Sequence, residues 1–129
     1  MRSQRGFTLV ELLVALLILT IVITTSLAVF VERERRMRMA SETILAYQAL
    51  SNEAEVRRRV DFNALEAEGD FFRSDTEIIK PLEPYTTKID VEPDKPGVKK
   101  VTIRIRWRGG KREASLGLLR VDTGGTNLW

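Results

Sequence analysis

The chain of 129 residues contains no cysteine and no histidine. It therefore forms no disulfide bond, carries no lipid-modified cysteine, and lacks the commonest general base, nucleophile and zinc ligands of enzymes. Acidic pairs such as Asp70 with Asp75, or Glu66 with Glu68, remain, but such pairs are abundant in loops and no second signal supports them. We predict that the protein is not an enzyme and that it holds no metal and no cofactor.

Glycine and proline are also absent from a long stretch of the chain, Phe7 through Glu68. These two residues most often interrupt a helix, so the stretch predicts one continuous helix that reaches about Arg59. Met37, Ala40, Ile44 and Tyr47 recur at a spacing of three to four residues, and Ala54 follows about two turns later. We expect this apolar stripe to pack in the core.

The first part of the predicted helix is apolar enough to enter a membrane. Of the 25 residues from Phe7 to Val31, only Glu11 is charged. About 20 apolar residues of helix cross the hydrocarbon core of a bilayer. The sequence therefore predicts a transmembrane or filament-core segment at residues 7–31, followed by an exported amphipathic half of the helix at residues 32–60.

Glu11 requires an explanation, because a carboxylate costs about 2.5 to 3.5 kcal/mol at the centre of a membrane helix, and less toward its end. One explanation is local: Thr8 and Glu11 have the spacing of a capping box, in which each side chain bonds the backbone of the other. The other requires cleavage after Gly6, which leaves Phe7 with a free α-amino group of pKa about 7.7 to 8.0. Glu11 would then pair with the amino terminus of a neighbouring copy.

This segment resembles the class III signal of type IV pilins and of type II secretion pseudopilins. The leader would be Met1 to Gly6, and Phe-Thr-Leu-Val-Glu-Leu-Leu follows it; the resemblance covers the first 30 or so residues. It implies cleavage by prepilin peptidase after Gly6, N-methylation of the new terminus Phe7, and a role for Glu11 in steering the subunit into a helical assembly.

An ordinary secretory signal peptide is the main competing interpretation of the amino terminus. Arg2 and Arg5 would form its charged start, and Ser26-Leu27-Ala28 would be its cleavage site. The apolar cores of such peptides run about 7 to 15 residues, however, and Leu12 to Val31 is longer. A single-pass anchored binding domain that never joins a filament is a further alternative.

After Gly69 the sequence changes to short, punctuated segments. We predict a linker at residues 61–84 and a sheet-forming head at residues 85–129. Tyr85 to Glu92 alternates in polarity, and so do the residues from Val101 to Arg108, as strands with one buried face do. Turns are predicted at Pro93, Pro96 and Gly97 and at Gly109-Gly110, and the return strand, Lys111 to Val121, is expected to carry a bulge around Gly117.

The predicted fold class is α+β: a long N-terminal helix packed on a small C-terminal antiparallel sheet of about three strands.

Basic residues raise the question of a nucleic-acid surface. The row comprises Arg104, Arg106 and Arg108 with Lys99, Lys100, Lys111 and Arg112. No aromatic residue interleaves it on its own side, as single-strand binding requires, so a solvated sheet face is the preferred interpretation. Arg57 to Arg59 is interpreted as a solvated helix end. The run Asp122 to Asn127 could wrap a calcium ion, but its carboxylates are few, and it is interpreted first as a turn-rich tail.

Four arginines oppose the orientation that the signal implies. Arg33, Arg35, Arg36 and Arg38 follow the apolar run and outnumber Arg2 and Arg5, so the positive-inside rule alone would place the head in the cytoplasm. The resemblance implies the opposite: a leader facing a cytoplasmic peptidase, a span in the inner membrane and a head in the periplasm.

Within the family, the small size, the proline-free helix and the Val-Thr-Ile-Arg-Ile-Arg-Trp strand most resemble the I-type minor pseudopilin of type II secretion. That resemblance implies J-type and K-type minor pseudopilins and the major pseudopilin as partners, at the tip of a periplasmic pseudopilus. A minor type IV pilin of the PilV kind, serving pilus assembly, adhesion or DNA uptake, shares the same signal and stalk.

Overall fold

The computed structural model of the chain describes residues 6–67 and 69–124. Its elements are one long helix, α1 (Leu9–Arg58), two short 3₁₀ helices (Phe62–Ala67 and Glu77–Leu82), and three strands, β1 (Tyr85–Lys95), β2 (Val98–Trp107) and β3 (Arg112–Val121). The helix packs on an antiparallel sheet of order β1-β2-β3, so the predicted α+β class is confirmed. One compact unit ends at Met39 and the second begins at Ala40.

The first unit is the apolar part of α1. Its most apolar 18-residue window has a mean hydropathy of 2.8 with no share of it buried, so the helix is long and apolar enough to cross a membrane. Its threonine hydroxyls donate to carbonyl oxygens one turn earlier: Thr20 to Leu16 at 2.8 Å, Thr24 to Thr20 at 2.9 Å and Thr25 to Ile21 at 2.8 Å. The polar groups of these three side chains are therefore satisfied within the helix itself.

The centre of the second unit is β2, whose alternation in polarity is confirmed. Val101, Ile103, Ile105 and Trp107 are buried, while Arg106 lies on the opposite, exposed face. Because successive side chains of a strand point to opposite faces, every second residue of β2 enters the core. This core also takes up Ala114 and Leu118 from β3 and Ile89 from β1.

The helix face that packs on this sheet differs from the predicted stripe. Met37, Ile44 and Tyr47 are 63%, 65% and 50% exposed, and of the predicted set only Ala54 is buried. The buried positions of α1 are instead Ala46, Ala49, Leu50, Glu53, Ala54 and Arg57. Three alanines, one leucine and a buried ion pair make up this face, so large apolar side chains alone do not mark it.

Glu53 and Arg57 form that ion pair, with Arg57 Nε 2.7 Å from Glu53 Oε1 and both side chains almost fully buried. Glu53 Oε2 accepts hydrogen bonds from the backbone N–H groups of Arg73 (2.9 Å) and Ser74 (2.8 Å). Arg57 Nη2 donates to the carbonyl of Phe71 at 2.9 Å. The pair therefore ties the segment after α1 to the helix, and the prediction that Arg57 belongs to a solvated helix end is wrong.

The segment between α1 and the sheet, predicted as a linker, holds both 3₁₀ helices. Three of its side chains, Leu65, Ile79 and Leu82, are buried in the same core as β2. The peptide bond between Glu83 and Pro84, just before β1, is cis. This segment contributes to the core as well as connecting the helix to the sheet.

Glu42 makes a polar contact between α1 and the end of β2. Its carboxylate accepts hydrogen bonds from the Trp107 indole at 3.1 Å and from Arg108 at 2.9 and 2.7 Å. The hydrogen bond from Arg108 is the main cause that lowers the pKa of Glu42 below its ordinary value of 4.5; desolvation opposes the shift, and the Trp107 bond and the charge of Arg112 add to it. The same bond raises the pKa of Arg108.

The turn after β2 positions Arg108 for this contact. Trp107 pairs with Arg112, and the turn between them has positive φ at Arg108 (54°), Gly109 (64°) and Gly110 (83°). The two glycines were predicted to supply this conformation. Arg108 also adopts it, although residues other than glycine rarely have a positive φ. Arg108 consequently leaves the outer face of the sheet, where the alternation of β2 had placed it, and contacts Glu42.

The predicted bulge at Gly117 is wrong, because β3 keeps one register against β2 from Arg112 to Val121. Leu119 and Val121 therefore face outward, 62% and 59% exposed. Arg120 faces inward and donates to carbonyl oxygens at the end of α1, those of Arg57 (3.0 Å), Arg58 and Val60 (2.9 Å). Carbonyls at a helix end lack partners within the helix, so a cation is favoured there.

The turn before β2 is shorter than predicted. Pro93 lies inside β1, paired with Lys99, and the strand continues past an irregularity to Lys95. The turn itself centres on Pro96 and Gly97, where Gly97 has a φ of 75°. Proline is tolerated in β1 because this strand is at the edge of the sheet and one side of its backbone has no strand partner.

Candidate processing and assembly site

The amino-terminal end of α1 holds the three residues that the sequence singled out, Gly6, Phe7 and Glu11. The helix begins at Leu9, and Thr8 is its cap. The backbone N–H of Glu11 donates to Thr8 Oγ1 at 3.2 Å, and the backbone N–H of Thr8 donates to Glu11 Oε2 at 3.2 Å. These reciprocal bonds are a capping box, so the local explanation for Glu11 is present in the unprocessed chain.

The carboxylate of Glu11 is also well placed for a second interaction. It lies in the first turn, where the unpaired N–H groups of the helix favour negative charge. It is exposed, and it has no ion pair with any cation of residues 6–67 and 69–124. Because the capping box uses Oε2 alone, Glu11 retains acceptor capacity for a cation from outside the chain.

Gly6 and Phe7 lie just ahead of the helix and are open to a protein that acts on them. Phe7 is 91% exposed. A methyl group added at Gly6 would meet no atom within 4 Å, and Gly6 does not adopt a positive φ. The fold therefore does not require glycine at this position.

The remainder of the predicted leader, Met1 to Arg5, lies outside the described residues, as do Glu68 and the end of the tail from Gly125. In the described part of that tail, the backbone N–H of Gly124 donates to Asp122 Oδ1 at 2.9 Å, which forms a turn. No group of three acidic side chains able to hold a metal ion occurs among the residues that are described.

Most of the basic row on the sheet is matched by acidic or acceptor groups. Arg104 Nε lies 3.2 Å from Glu113 Oε1, and Arg106 also pairs with Glu113. Lys99 Nζ donates to the carbonyl of Phe62 at 3.0 Å, and Arg112 donates to Thr43 Oγ1 at 2.7 Å. Much of the charge of this row is thus committed within the protein, which weakens its attraction for a polyanion.

Comparison with known protein families gives a match at the amino terminus. Residues 1–27 match the family model described as the prokaryotic N-terminal methylation motif. This motif supports a type IV pilin-like or pseudopilin protein, and it implies processing by prepilin peptidase and pilus-type assembly with related pilins. Together with the apolar helix, it fits a single-pass protein anchored in the inner membrane. No curated protein and no solved structure matches the chain.

Sequence reasoning missed two polar groups that organise the second unit, Glu42 and the Glu53–Arg57 pair. The spacing of four residues between Glu53 and Arg57 is a signal for an ion pair on a helix, but it does not reveal burial. For Glu42 no signal was available, because its partners Trp107 and Arg108 are about 65 residues away in the chain and become neighbours only when the sheet folds onto the helix.

Proposed function

We propose that the chain is a minor pseudopilin of a type II secretion system, a structural subunit that initiates or caps a periplasmic pseudopilus and so contributes to protein export. The observation that carries the proposal is the match at residues 1–27 with the methylation motif, on a helix that begins directly after its processing point. The absence of proline from α1 supports a minor subunit, because many major pilins carry a proline in this apolar half.

In this proposal, prepilin peptidase cleaves the bond between Gly6 and Phe7 on the cytoplasmic side, and the new amino terminus of Phe7 is methylated. The exposure of both residues supports access by the peptidase. Residues 7–31 then hold the subunit in the inner membrane, and the unit beginning at Ala40 is exported to the periplasm. The J-type and K-type minor pseudopilins and the major pseudopilin are the proposed partners.

Glu11 is the proposed assembly residue. A cation at the amino terminus of an adjacent subunit would offset the cost of holding a carboxylate among apolar side chains. The capping box supports this role by fixing the carboxylate in the first turn before assembly. An incoming α-amino group would either share Glu11 with the Thr8 N–H group or replace it.

The decisive measurement is the mass and sequence of the amino terminus of the chain purified from membranes of cells that contain prepilin peptidase. N-methylated phenylalanine at Phe7 is the expected result. An intact Met1 would overturn the proposal in favour of a plain single-pass anchor, and a terminus at Val29 would favour a secretory signal peptide.

A minor type IV pilin is the second candidate, and the methylation motif favours both equally. A minor pseudopilin and a minor type IV pilin differ in their partners and in the process that fails when the gene is deleted. Deletion of the gene should stop secretion through the outer membrane and leave surface pili intact if the chain is a pseudopilin. Loss of pili, adhesion or DNA uptake with normal secretion would identify the second candidate.

A further inference from the structure

The four arginines that follow the apolar run are not explained by processing or by assembly. Arg33, Arg35, Arg36 and Arg38 are all exposed on α1, starting two residues after Val31. Arg36 Nε lies 2.9 Å from Glu32 Oε1, so this arginine is already paired. No carboxylate of the described residues lies within ion-pair distance of the other three, and Arg35 interacts with Glu32 only at longer range.

The three unpaired arginines surround the helix instead of forming one face. At 100° per residue, Arg35 and Arg38 lie about 200° and about 140° around the helix axis from Arg33. A partner helix would contact only one face, whereas lipids surround an isolated membrane helix on all sides. The distribution therefore fits a lipid surface better than a docked protein.

The position of these arginines along the helix axis also fits contact with a lipid surface. At 1.5 Å per residue, Arg33 and Arg38 lie about 3 Å and about 10 Å beyond Val31 along the axis. The polar headgroup layer is roughly 5 to 7 Å thick on each side of the hydrocarbon core. Long arginine side chains reach along the helix to place the guanidinium at the level of the phosphates.

We propose that Arg33, Arg35 and Arg38 form a collar that binds the phosphate groups of anionic phospholipids in the exported leaflet of the inner membrane. The leaflet assignment rests on the proposed function, since it requires an exported head. Guanidinium groups pair with phosphate through two parallel hydrogen bonds, and each basic side chain near an anionic surface strengthens association on the order of fivefold. Glu34, which has no ion pair among the described residues, opposes part of this attraction.

This collar resolves the conflict with the positive-inside rule in functional terms. Arginines on the exported side disfavour the proposed orientation before insertion, but afterwards they hold the subunit at the level of the headgroups. Release of the collar is then a step that assembly into a filament must drive.

The test uses the processed full chain in phosphatidylcholine vesicles that contain a trace of spin-labelled lipid. Electron paramagnetic resonance measures the fraction of label immobilised by the protein, for phosphatidylglycerol and for phosphatidylcholine in turn. We expect the wild type to prefer phosphatidylglycerol severalfold. The variant R33Q/R35Q/R38Q should lose this preference, while R33K/R35K/R38K should retain most of it because the charge remains.

Two further variants locate the effect. E32Q releases Arg36 from its ion pair and should increase the preference for phosphatidylglycerol. K95Q/K100Q/K111Q removes the same number of charges from exposed lysines of the second unit and should leave the preference unchanged. Circular dichroism of every variant in the same vesicles verifies that helix content is equal.

Preference retained in R33Q/R35Q/R38Q, or absent from the wild type, would overturn the proposal. Equal loss in K95Q/K100Q/K111Q would also overturn it, because the selectivity would then come from the overall charge of the protein. If the collar bound an acidic protein instead, the wild type would show no lipid preference. None of these outcomes bears on the methylation of Phe7, so the collar and the proposed function fail separately.

Discussion

Arg57 donates a 2.7 Å hydrogen bond to Glu53, one helical turn earlier, and neither side chain is accessible to solvent. Two buried charges gain little net free energy from each other, because each has lost its hydration. The pair matters for stability because removing either residue leaves the other as a buried, unpaired charge. The backbone N–H groups of Arg73 and Ser74 and the carbonyl of Phe71 depend on the same two side chains.

We expect Arg57→Met to lower the free energy of unfolding by about 3 to 5 kcal/mol, since it leaves Glu53 as a buried, unpaired charge. Urea denaturation of the detergent-solubilised chain measures this in a Trp129→Phe background, where Trp107 is the only tryptophan. Arg58→Met is the matched control: Arg58 is exposed and lies 3.6 Å from Glu55, so the change should cost less than about 1 kcal/mol. Similar losses in both variants would contradict the role given to the buried pair.

The Glu42 contact predicts a dependence of stability on pH. Because the folded protein lowers the pKa of Glu42, its ionised form is the one that Arg108 and Trp107 stabilise. The contribution is complete above the ordinary pKa of 4.5 and is lost as pH falls through the lower, folded value. Wild type should therefore exceed Glu42→Gln in stability at pH 7, and the difference should shrink below about pH 4.5.

Urea midpoints of the two proteins, measured by Trp107 fluorescence between pH 7 and pH 3, check this prediction. The other carboxyl groups are present in both proteins, so their titration cancels in the difference between wild type and Glu42→Gln. A difference that stays constant over the whole range would show that the charge of Glu42 contributes nothing.

Strand β2 was predictable because its alternation places four apolar side chains on one face and nothing in the local sequence competes with that pattern. Which face of α1 packs on the sheet was not predictable in the same way. Large side chains such as Ile44 and Tyr47 suggested one face, but the face that packs on the sheet is the one with Ala46 and Ala49, which are buried. The size of an apolar side chain therefore does not indicate which face of α1 is buried.

The opposing roles of Glu11 can be separated by two substitutions. Glu11→Gln keeps the capping box, since glutamine also bonds back to the Thr8 N–H group, but it removes the charge. Thr8→Val removes the capping hydroxyl and keeps the charge. If Glu11 pairs with a neighbouring amino terminus, Glu11→Gln should abolish assembly and secretion while Thr8→Val reduces them only partly.

Membrane insertion should survive in both variants, and sedimentation of membranes after alkaline extraction verifies it. Secretion and the recovery of sheared filaments give the assembly readouts. Near-normal assembly of Glu11→Gln together with a defect in Thr8→Val would mean that Glu11 acts only as a helix cap, at a cost of about 1 kcal/mol for the lost capping interaction.

A substitution at Gly6 tests the proposed cleavage of the peptide bond before Phe7. Gly6 has open space around it and no positive φ, so Gly6→Val should leave membrane insertion and the stability of the second unit unchanged. Cleavage should nevertheless stop if a peptidase requires a small residue there. The masses of the variant and the wild type should differ by the uncleaved leader and the missing methyl group. Normal processing of the variant would contradict this requirement for a small residue.

The candidate site itself was predictable from the sequence, because its elements are local. Thr8 and Glu11 are three residues apart, and the reciprocal bonds between them follow from that spacing alone. The polar contacts of the second unit join residues that are distant in the chain, such as Arg120 with the end of α1, and a single sequence carries no trace of such pairing.

The hydroxyl groups of Thr20, Thr24 and Thr25 bond to the helix that carries them, and Thr8 and Glu11 satisfy each other. Between Phe7 and Val31 the hydroxyl groups of Thr20, Thr24 and Thr25 need no hydrogen-bond partner from outside the helix. The helix can exchange a shell of lipid for a shell of other helices without breaking a side-chain hydrogen bond of these threonines. If the subunit moves from the bilayer into a filament, as proposed, these threonines add no hydrogen-bond cost to that step, and the proposed arginine collar beyond Val31 would oppose it.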